Sequence, residues 1–350
     1  MIRKLVYCAQ SDLGKYQLKA LVIGISYDMA FILTMLAMDV RQLNYFVTIV
    51  DCGSLGRAAE KLNVAQPSLS QQIIRLEDEL KTVLLIRSRQ GVSPTAEGQA
   101  LYRHSRVVLR QMEQLKQEVR LGTSQETGTV AVGLPTAVVT ILAMPLVQRL
   151  QAQYPGIRLQ LFESMSGYIN ELLAGGRLDL AILFRDADTR GITALPLLEE
   201  QLYVVGEPGN GVGPRAETCP MARLSGVRMV APGASNGLRI LLERVFSRER
   251  LELNIVADID SLPTLISIAQ AGLACTILPA SALAQWEVVK RPKMRRLTGP
   301  SLTRPVSLCW SNAMPIHSAT MAVRQTIVDL VGELSASGLW AGISLPSRQG

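Results

Sequence analysis

The sequence predicts an α/β protein with three parts: an N-terminal winged helix-turn-helix, a long linker helix, and a domain of two α/β lobes. Three observations predict it. Short amphipathic stretches between Asp39 and Leu80 are broken by Gly53-Ser54 and by a turn just before Pro67. An apolar seam stepping by four and three residues runs from Leu101 to Val119. From Thr129 onward strand-like and helix-like stretches alternate, which implies a mostly parallel sheet.

The first helix carries Leu43, Phe46, Val47 and Val50 on one face and stops at Gly53, with Ser54 placed to cap the next. That second helix, "LGRAAEKL", has Ala58 and Ala59, small enough for another helix to approach. "NVAQ" is a tight turn, and Pro67 opens the third helix, where its missing N–H costs nothing. The third helix has two stripes. Leu69, Ile73, Leu76 and Leu80 form its apolar face, and Ser68, Gln71, Gln72 and Arg75 lie opposite. Two short helices joined by a tight turn match a helix-turn-helix, whose second helix enters the major groove N-terminal end first. Gln66, Ser68, Gln71 and Gln72 then stand where base edges lie, and a glutamine can bond adenine bidentately. Ser70 shares that leading turn, while Arg75 is better placed for a phosphate or an outer guanine. "LLIRSRQGVS" reads as two short strands around Gly91, a wing whose Arg87 and Arg89 would touch the DNA backbone or minor groove. The competing reading is a small helical module with a solvated polar face.

Charge does not decide between them. The whole chain of 350 residues carries +7, yet Asp39–Gly98 holds seven basic and seven acidic residues. The interface is therefore an expectation from geometry and from the placement of Arg57, Arg75, Arg87 and Arg89.

From Thr95 one long helix begins, capped by Ser93 or Thr95. Its seam is Leu101, Ser105, Val108, Met112, Leu115 and Val119. It serves either to pair two copies of the chain or to pack on the chain's own body. "LGTSQETG" then reads as a hinge.

The rest divides into two sets. "TVAVGL", "VVTILAMPLVQRLQAQY", "IRLQLFE", "YINELLAGG" and "LDLAILF" make a βαβαβ unit. "LYVVG", "VRMVAP", "GLRILLERVF", "NIVADI", "LPTLISIAQAG" and "ACTILP" make a second, and "PVSLCWS" with "TMAVRQTIVDLVGEL" returns to complete the first. This is a periplasmic-binding-protein-like clam-shell, which takes small molecules in its cleft at strand C-termini and helix N-termini. Thr136, Ser164, Ser166, Phe184 and Arg185 in the first lobe, and Ser235, Asn236, Gly237, Ser261 and Thr276 in the second, follow from that rule. Asp260 stands beside Ser261. Helix N-termini favour an anion. Singly, each of these residues can equally be a cap or a loop hydroxyl with no ligand. The expected organisation is 1–37 extension, 38–95 winged helix-turn-helix, 96–121 linker helix, 122–128 hinge, 129–198 with 304–335 lobe I, 199–303 lobe II and 336–350 tail.

Other function classes find little support. The only histidines are His104 and His317, neither near a GxSxG, and no HExxH or clustered Cys/His set occurs. No enzyme, cofactor or metal is expected. Five scattered cysteines without a CxxC point to free thiols in a reducing, cytoplasmic compartment. Ala20–Met38 approaches the length of a membrane span but contains Asp28, costly at a bilayer centre, and lacks a cleavage site. Residues 1–37 are either an upstream extension ahead of a true start at Met38 or a membrane tether.

Residues 43–98, "LNYFVTIVDCGSLGRAAEKLNVAQPSLSQQIIRLEDELKTVLLIRSRQGVSPTAEG", resemble the N-terminal module of LysR-type transcriptional regulators. The F, GS, AA and QP.LS.QI..LE..L positions occur in the family's order, and "GRLDLAIL" is the best local match among the lobes. "VDCGSLGRAAE", "AQPSLSQQI" and "LLIRSRQGVSPT" are similar to the nitrogen assimilation control subgroup. The resemblance covers Met38 to about Leu334. It implies a homodimer or homotetramer on dyad sites in double-stranded promoter DNA, a small-molecule effector in the cleft, and RNA polymerase as a further partner. It carries DNA contacts to Gln66, Pro67, Ser68, Ser70 and Arg87. Two departures stand out: Gln71 replaces the arginine of many members, and Ala65 replaces a capping serine. The competing class is a solute-binding sensor whose N-terminal module makes only protein contacts.

Overall fold

A computed structural model describes residues 38–121, 126–185, 187–189, 191–213, 215–234, 236–286, 291–300, 302–312 and 316–345. The expectations for residues 1–37 and for Ser235 lie outside them. Contacts divide the chain into two units between Ser105 and Arg106.

In the first unit, α1 (Val40–Cys52) starts with a reciprocal cap. Asp39 Oδ1 accepts the Gln42 N–H at 2.7 Å and Gln42 Oε1 accepts the Asp39 N–H at 3.1 Å. It ends at Gly53, whose φ of 59° is left-handed. α2 (Leu55–Leu62) is capped by Ser54, whose Oγ accepts the Arg57 N–H at 3.4 Å. α3 (Gln66–Leu80) has Pro67 in its first turn and no side-chain cap at Ala65. Leu69, Ile73 and Leu76 are fully buried, as are Phe46, Ile49 and Ala58 of the helices beside them, so the α3 stripe is an apolar core face. Leu80 departs from it at 39% exposure, because the helix ends there and Lys81 turns left-handed.

The wing pairs β1 (Leu85–Ser88) antiparallel with β2 (Gly91–Pro94). It is anchored where the Val92 N–H meets Gly53 O at 2.9 Å. Gly91 has no substitute there: its φ is 134°, and a Cβ would lie 2.6 Å from Gly53 O. Glu77 of α3 reaches the start of β1, its Oε1 accepting the Leu84 and Leu85 N–H groups at 2.8 and 3.2 Å. Thr95 caps the linker helix α4 (Ala96–Leu121), accepting the Gly98 N–H at 2.9 Å.

The second unit is built on one continuous path of strands, β4-β3-β5-β12-β6-β11-β7. Here β3 (Gly128–Pro135), β4 (Ile157–Ser164) and β5 (Leu180–Leu183) run parallel. The long strand β6 (Ile192–Val205) carries antiparallel partners β12 (Thr303–Ser311), β11 (Met294–Thr298) and β10 (Thr276–Pro279). β7 (Thr218–Pro220) flanks β11, and β8 (Arg228–Ala231) pairs parallel with β9 (Asn254–Asp258). The helices are α5 (Thr136–Gln153), α6 (Ser166–Ala174), α7 (Gly237–Arg248), α8 (Leu262–Gln270) and α9 (Ser318–Ala336). One core gathers Val132, Leu142, Ile182, Val323 and Ile327, the other Val204, Leu242, Phe246, Leu265 and Ile277.

The sheet departs from the sequence reading in three ways. It is parallel across β4-β3-β5 and again at β11-β7, and antiparallel where β6 meets β12, β11 and β10. β6 begins at Ile192 rather than near Leu202, and β7 and β11 were not anticipated. For β6 and β11 the cause is buried charge. Glu200 in β6 and Arg295 in β11 are each 1% exposed, so the alternation that marks a strand was masked by ionic residues. The expected tail is also part of the fold to residue 345: β13 (Ile343–Ser344) pairs with β6, and Trp340 is 1% exposed.

Candidate nucleic-acid interface and effector cleft

In the first unit the expected contact residues form one exposed edge. Gln66, Pro67, Ser68 and Gln71 are exposed on the first turns of α3, as are Arg75 further along and Arg87 and Arg89 on the wing. Arg87 Nη1 donates to Ser70 Oγ at 2.9 Å, which ties wing to recognition helix. Gln72 is half-buried, its Oε1 accepting from Gln42 Nε2 at 3.5 Å, so it is partly engaged inside the unit. Gln66 folds back toward α2, its Oε1 lying 3.7 Å from where a Cβ on Gly56 would sit. Arg57 donates to the Cys52 carbonyl across the α1–α2 turn.

The linker seam is partly open. Val108, Met112 and Leu115 are 38%, 37% and 54% exposed, a row of large apolar side chains one or two turns apart. Leu101 is half-buried and Ser105 is buried. The side chain of Val119 lies outside the described residues. Arg110, on the same helix, forms an ion pair with buried Asp179. Asp179 also accepts the Ala131 N–H at 2.7 Å. Burial pushes the Asp179 carboxyl above the usual range, against the pull of Arg110.

In the second unit Thr136, Ser166, Phe184 and Asn236 line one cavity. Ser166 and Phe184 also line a second, with Arg185 and Gly237. Six of the ten expected effector residues therefore converge. Ser164, Ser261 and Thr276 line neither cavity. Ser164 ends β4. Ser261 bonds the Thr264 hydroxyl at 2.8 Å. Thr276 is 1% exposed inside β10. A place at a strand end (Ser164), before a helix (Ser261) or within a strand (Thr276) fixes depth in the fold but not the direction of the side chain.

Sequence reasoning missed Arg304, at the start of β12. Its guanidinium stacks 3.6 Å from the Phe184 ring centroid and lines the first cavity. Its Nε and Nη2 donate to Glu200 Oε2 at 2.8 and 2.6 Å. Glu200 Oε1 accepts from Ser281 Oγ at 2.5 Å and Trp340 Nε1 at 2.9 Å. A buried carboxylate is tolerable only with such a full set of donors. The signal available was "TRP" opening an apolar strand, which alone does not distinguish a buried arginine from an edge one.

An exposed recognition edge on one unit and a polar cleft between helix starts on the other define a DNA-binding regulator with a ligand-sensing domain. Residues 40–99 match the bacterial regulatory helix-turn-helix protein, lysR family, and residues 123–331 match the LysR substrate binding domain. The chain is similar to the nitrogen assimilation regulatory protein nac of Klebsiella aerogenes, 35% identical over 85% of this chain and 97% of that protein. The Escherichia coli nac protein is 34% identical over 84% and 95%. In fold it resembles a full-length OxyR variant from Pseudomonas aeruginosa, with TM-score 0.64, 23% identity and coverage of 84% of this chain and 98% of that one. The chain belongs to the LysR family of DNA-binding transcriptional regulators and is not an enzyme. Proteins of this family bind DNA and form oligomers with small-molecule effectors.

Proposed function

We propose that the chain recognises dyad sites in promoter DNA through Gln66, Pro67, Ser68, Ser70, Gln71 and Gln72 on the leading turns of α3, with Arg57, Arg75, Arg87 and Arg89 positioning it on the backbone. One observation carries this: the Ser70–Arg87 hydrogen bond sets the wing beside the leading turn of α3, so that base-reading and phosphate-reading groups form a single edge. Two copies joined along Leu101, Val108, Met112, Leu115 and Val119 would address half-sites about one DNA turn, ~34 Å, apart. Pairs of dimers forming a tetramer, contact with RNA polymerase, and a cytoplasmic location extend the same reading. The cleft lined by Thr136, Ser166, Phe184, Arg185, Asn236 and Gly237 takes a small anionic effector. Such a ligand shifts the DNA-bound assembly only by its differential affinity for two arrangements. Likeness to two nitrogen assimilation regulators supports nitrogen-utilisation promoters as the first duplexes to try.

The test is anisotropy titration of the full chain on its own upstream DNA and on a scrambled duplex, across a salt series. Tighter binding to the upstream DNA at every salt concentration is expected. Equal affinity for both duplexes would overturn sequence reading, and no binding at low salt would overturn DNA recognition by this edge.

A further inference from the structure

The two cavities of the effector unit meet at Ser166 and Phe184 and have opposite character. The first, of about 40 Å³, is walled largely by Met165, Leu238, Leu262, Leu265 and Leu278. The second, of about 170 Å³, presents Gly167, Asn170, Arg185 and Gly237. The arginines beside them differ in charge balance. Arg304 is neutralised by Glu200 at 2.6 Å. Arg185 donates to Thr189 Oγ1 and Asn170 Oδ1, at 2.6 Å each, and both partners are neutral. Among the described residues Arg185 has no acidic partner, so its charge is uncompensated there.

Two further features point to a ligand in the polar chamber. Ser166 is 9% exposed, yet among the described residues its hydroxyl has no hydrogen-bond partner, although it lines both chambers. Its Oγ is open to the chamber and so is free to bond a ligand there. Ser166 also opens α6, which has no side-chain cap, so the first N–H groups of the helix are free to meet an anion at the same spot.

We propose that the cleft takes a short-chain aliphatic monocarboxylate, with its carboxylate on Arg185 and Ser166 at the start of α6 and its hydrocarbon tail in the apolar chamber. This rests on the reading of the cleft as the effector site. The charge count selects one carboxylate. A second would enter an apolar chamber whose only cation among the described residues is already satisfied, and would lose its hydration without gaining a counter-charge. The volume selects the tail. At roughly 10–15 Å³ per small group, a chamber of about 40 Å³ admits about three heavy atoms. Butyrate, with three tail carbons, fits; octanoate, with seven, does not.

Calorimetric titration of the full chain with acetate, butyrate, pentanoate, octanoate, butyramide and succinate tests this. Affinity should rise about fourfold per methylene from acetate to butyrate, level off at pentanoate and fall at octanoate. Butyramide and succinate should bind at least about tenfold more weakly than butyrate. Arg185→Gln should weaken butyrate by a similar factor. Gly237→Ala supplies an independent variant: its Cβ would lie 4.0 Å from Ser166 Oγ, ordinary contact that narrows the polar chamber without a clash. It should keep the wild-type Tm and lose butyrate. If succinate or butyramide binds more tightly than butyrate and Gly237→Ala abolishes that binding, the effector cleft stands and the monocarboxylate assignment falls. If butyrate does not bind at millimolar concentration, the assignment falls as well. Butyrate binding indifferent to both substitutions would place the ligand elsewhere and overturn both readings.

Discussion

Two side chains on neighbouring elements of the first unit carry different kinds of information. Gln71 is exposed on the leading turns of α3 with no side-chain hydrogen bond among the described residues, so its side-chain amide is free for a base edge. Gln71→Ala should weaken binding to the cognate duplex by about 1–3 kcal/mol and leave scrambled DNA unaffected. Arg87 carries charge, and Arg87→Ala should weaken all duplexes alike and lower the salt slope by about one. Anisotropy titrations on both duplexes separate the two effects. Equal losses for Gln71→Ala on both duplexes would count against base reading. The thiols behave differently. Burial pushes Cys275 and Cys309 up to about 11 and raises Cys219 as well. A thiol with a raised pKa stays protonated and unreactive until the pH approaches that value. Iodoacetamide at neutral pH should therefore label Cys52, which is half-buried, well before these three. Labelling of the buried set should climb as pH rises toward 11, followed residue by residue by mass spectrometry. Rapid labelling of Cys275 at neutral pH would show that this site opens in solution.

At the scale of elements, the helices of the first unit were legible because each boundary has a local chemical cause. Ser54 caps, Gly53 turns left-handed, Pro67 enters a first turn, and Leu69, Ile73 and Leu76 repeat at helical spacing. The uncapped Ala65 is a departure that can be reversed. Ala65→Ser supplies an acceptor for the first free N–H groups of α3 and should stabilise the protein by about 1 kcal/mol, seen as a higher denaturant midpoint with unchanged m. The linker seam is testable in the same way. Leu115 is 54% exposed, so packing within the described residues does not account for an apolar side chain at that position. Leu115→Asp should convert dimers to monomers in sedimentation velocity, and an unchanged distribution would assign the seam to another role. In the second unit, β6 and β11 were illegible for the opposite reason. Glu200 and Arg295 are charged residues at core positions, and only their distant partners make them tolerable. Pattern reading sees the charge and not the partner. The cleft was readable to the extent that helix starts and strand ends specify it. Ser166 and Asn236 were found in this way, whereas Arg304 enters from a strand whose inward direction only the sheet register reveals.

At the scale of the molecule, the last residues complete the fold. Trp340 is fully buried and donates to Glu200, and β13 pairs with β6 beside that same residue. Truncation after residue 335 removes a large core side chain and one of the donors that satisfy a buried carboxylate. It should cost about 3–5 kcal/mol, measured as lost unfolding free energy in urea. A loss within about 0.5 kcal/mol, the range of ordinary surface changes, would mean that this segment is dispensable.

The length of β6 also bears on how such proteins can be recombined. Its residues from Ile192 to Gln201 lie against β12, and those from Leu202 to Val205 against β10 and β11, with no break in the strand. A chimaera that takes one lobe from this chain and the other from a relative, spliced at Glu199, would cut a single strand and part Glu200 from Arg304 or Ser281. Interchangeable sensing modules in this architecture should therefore be exchanged whole, with the segment through residue 345 travelling in the same cassette.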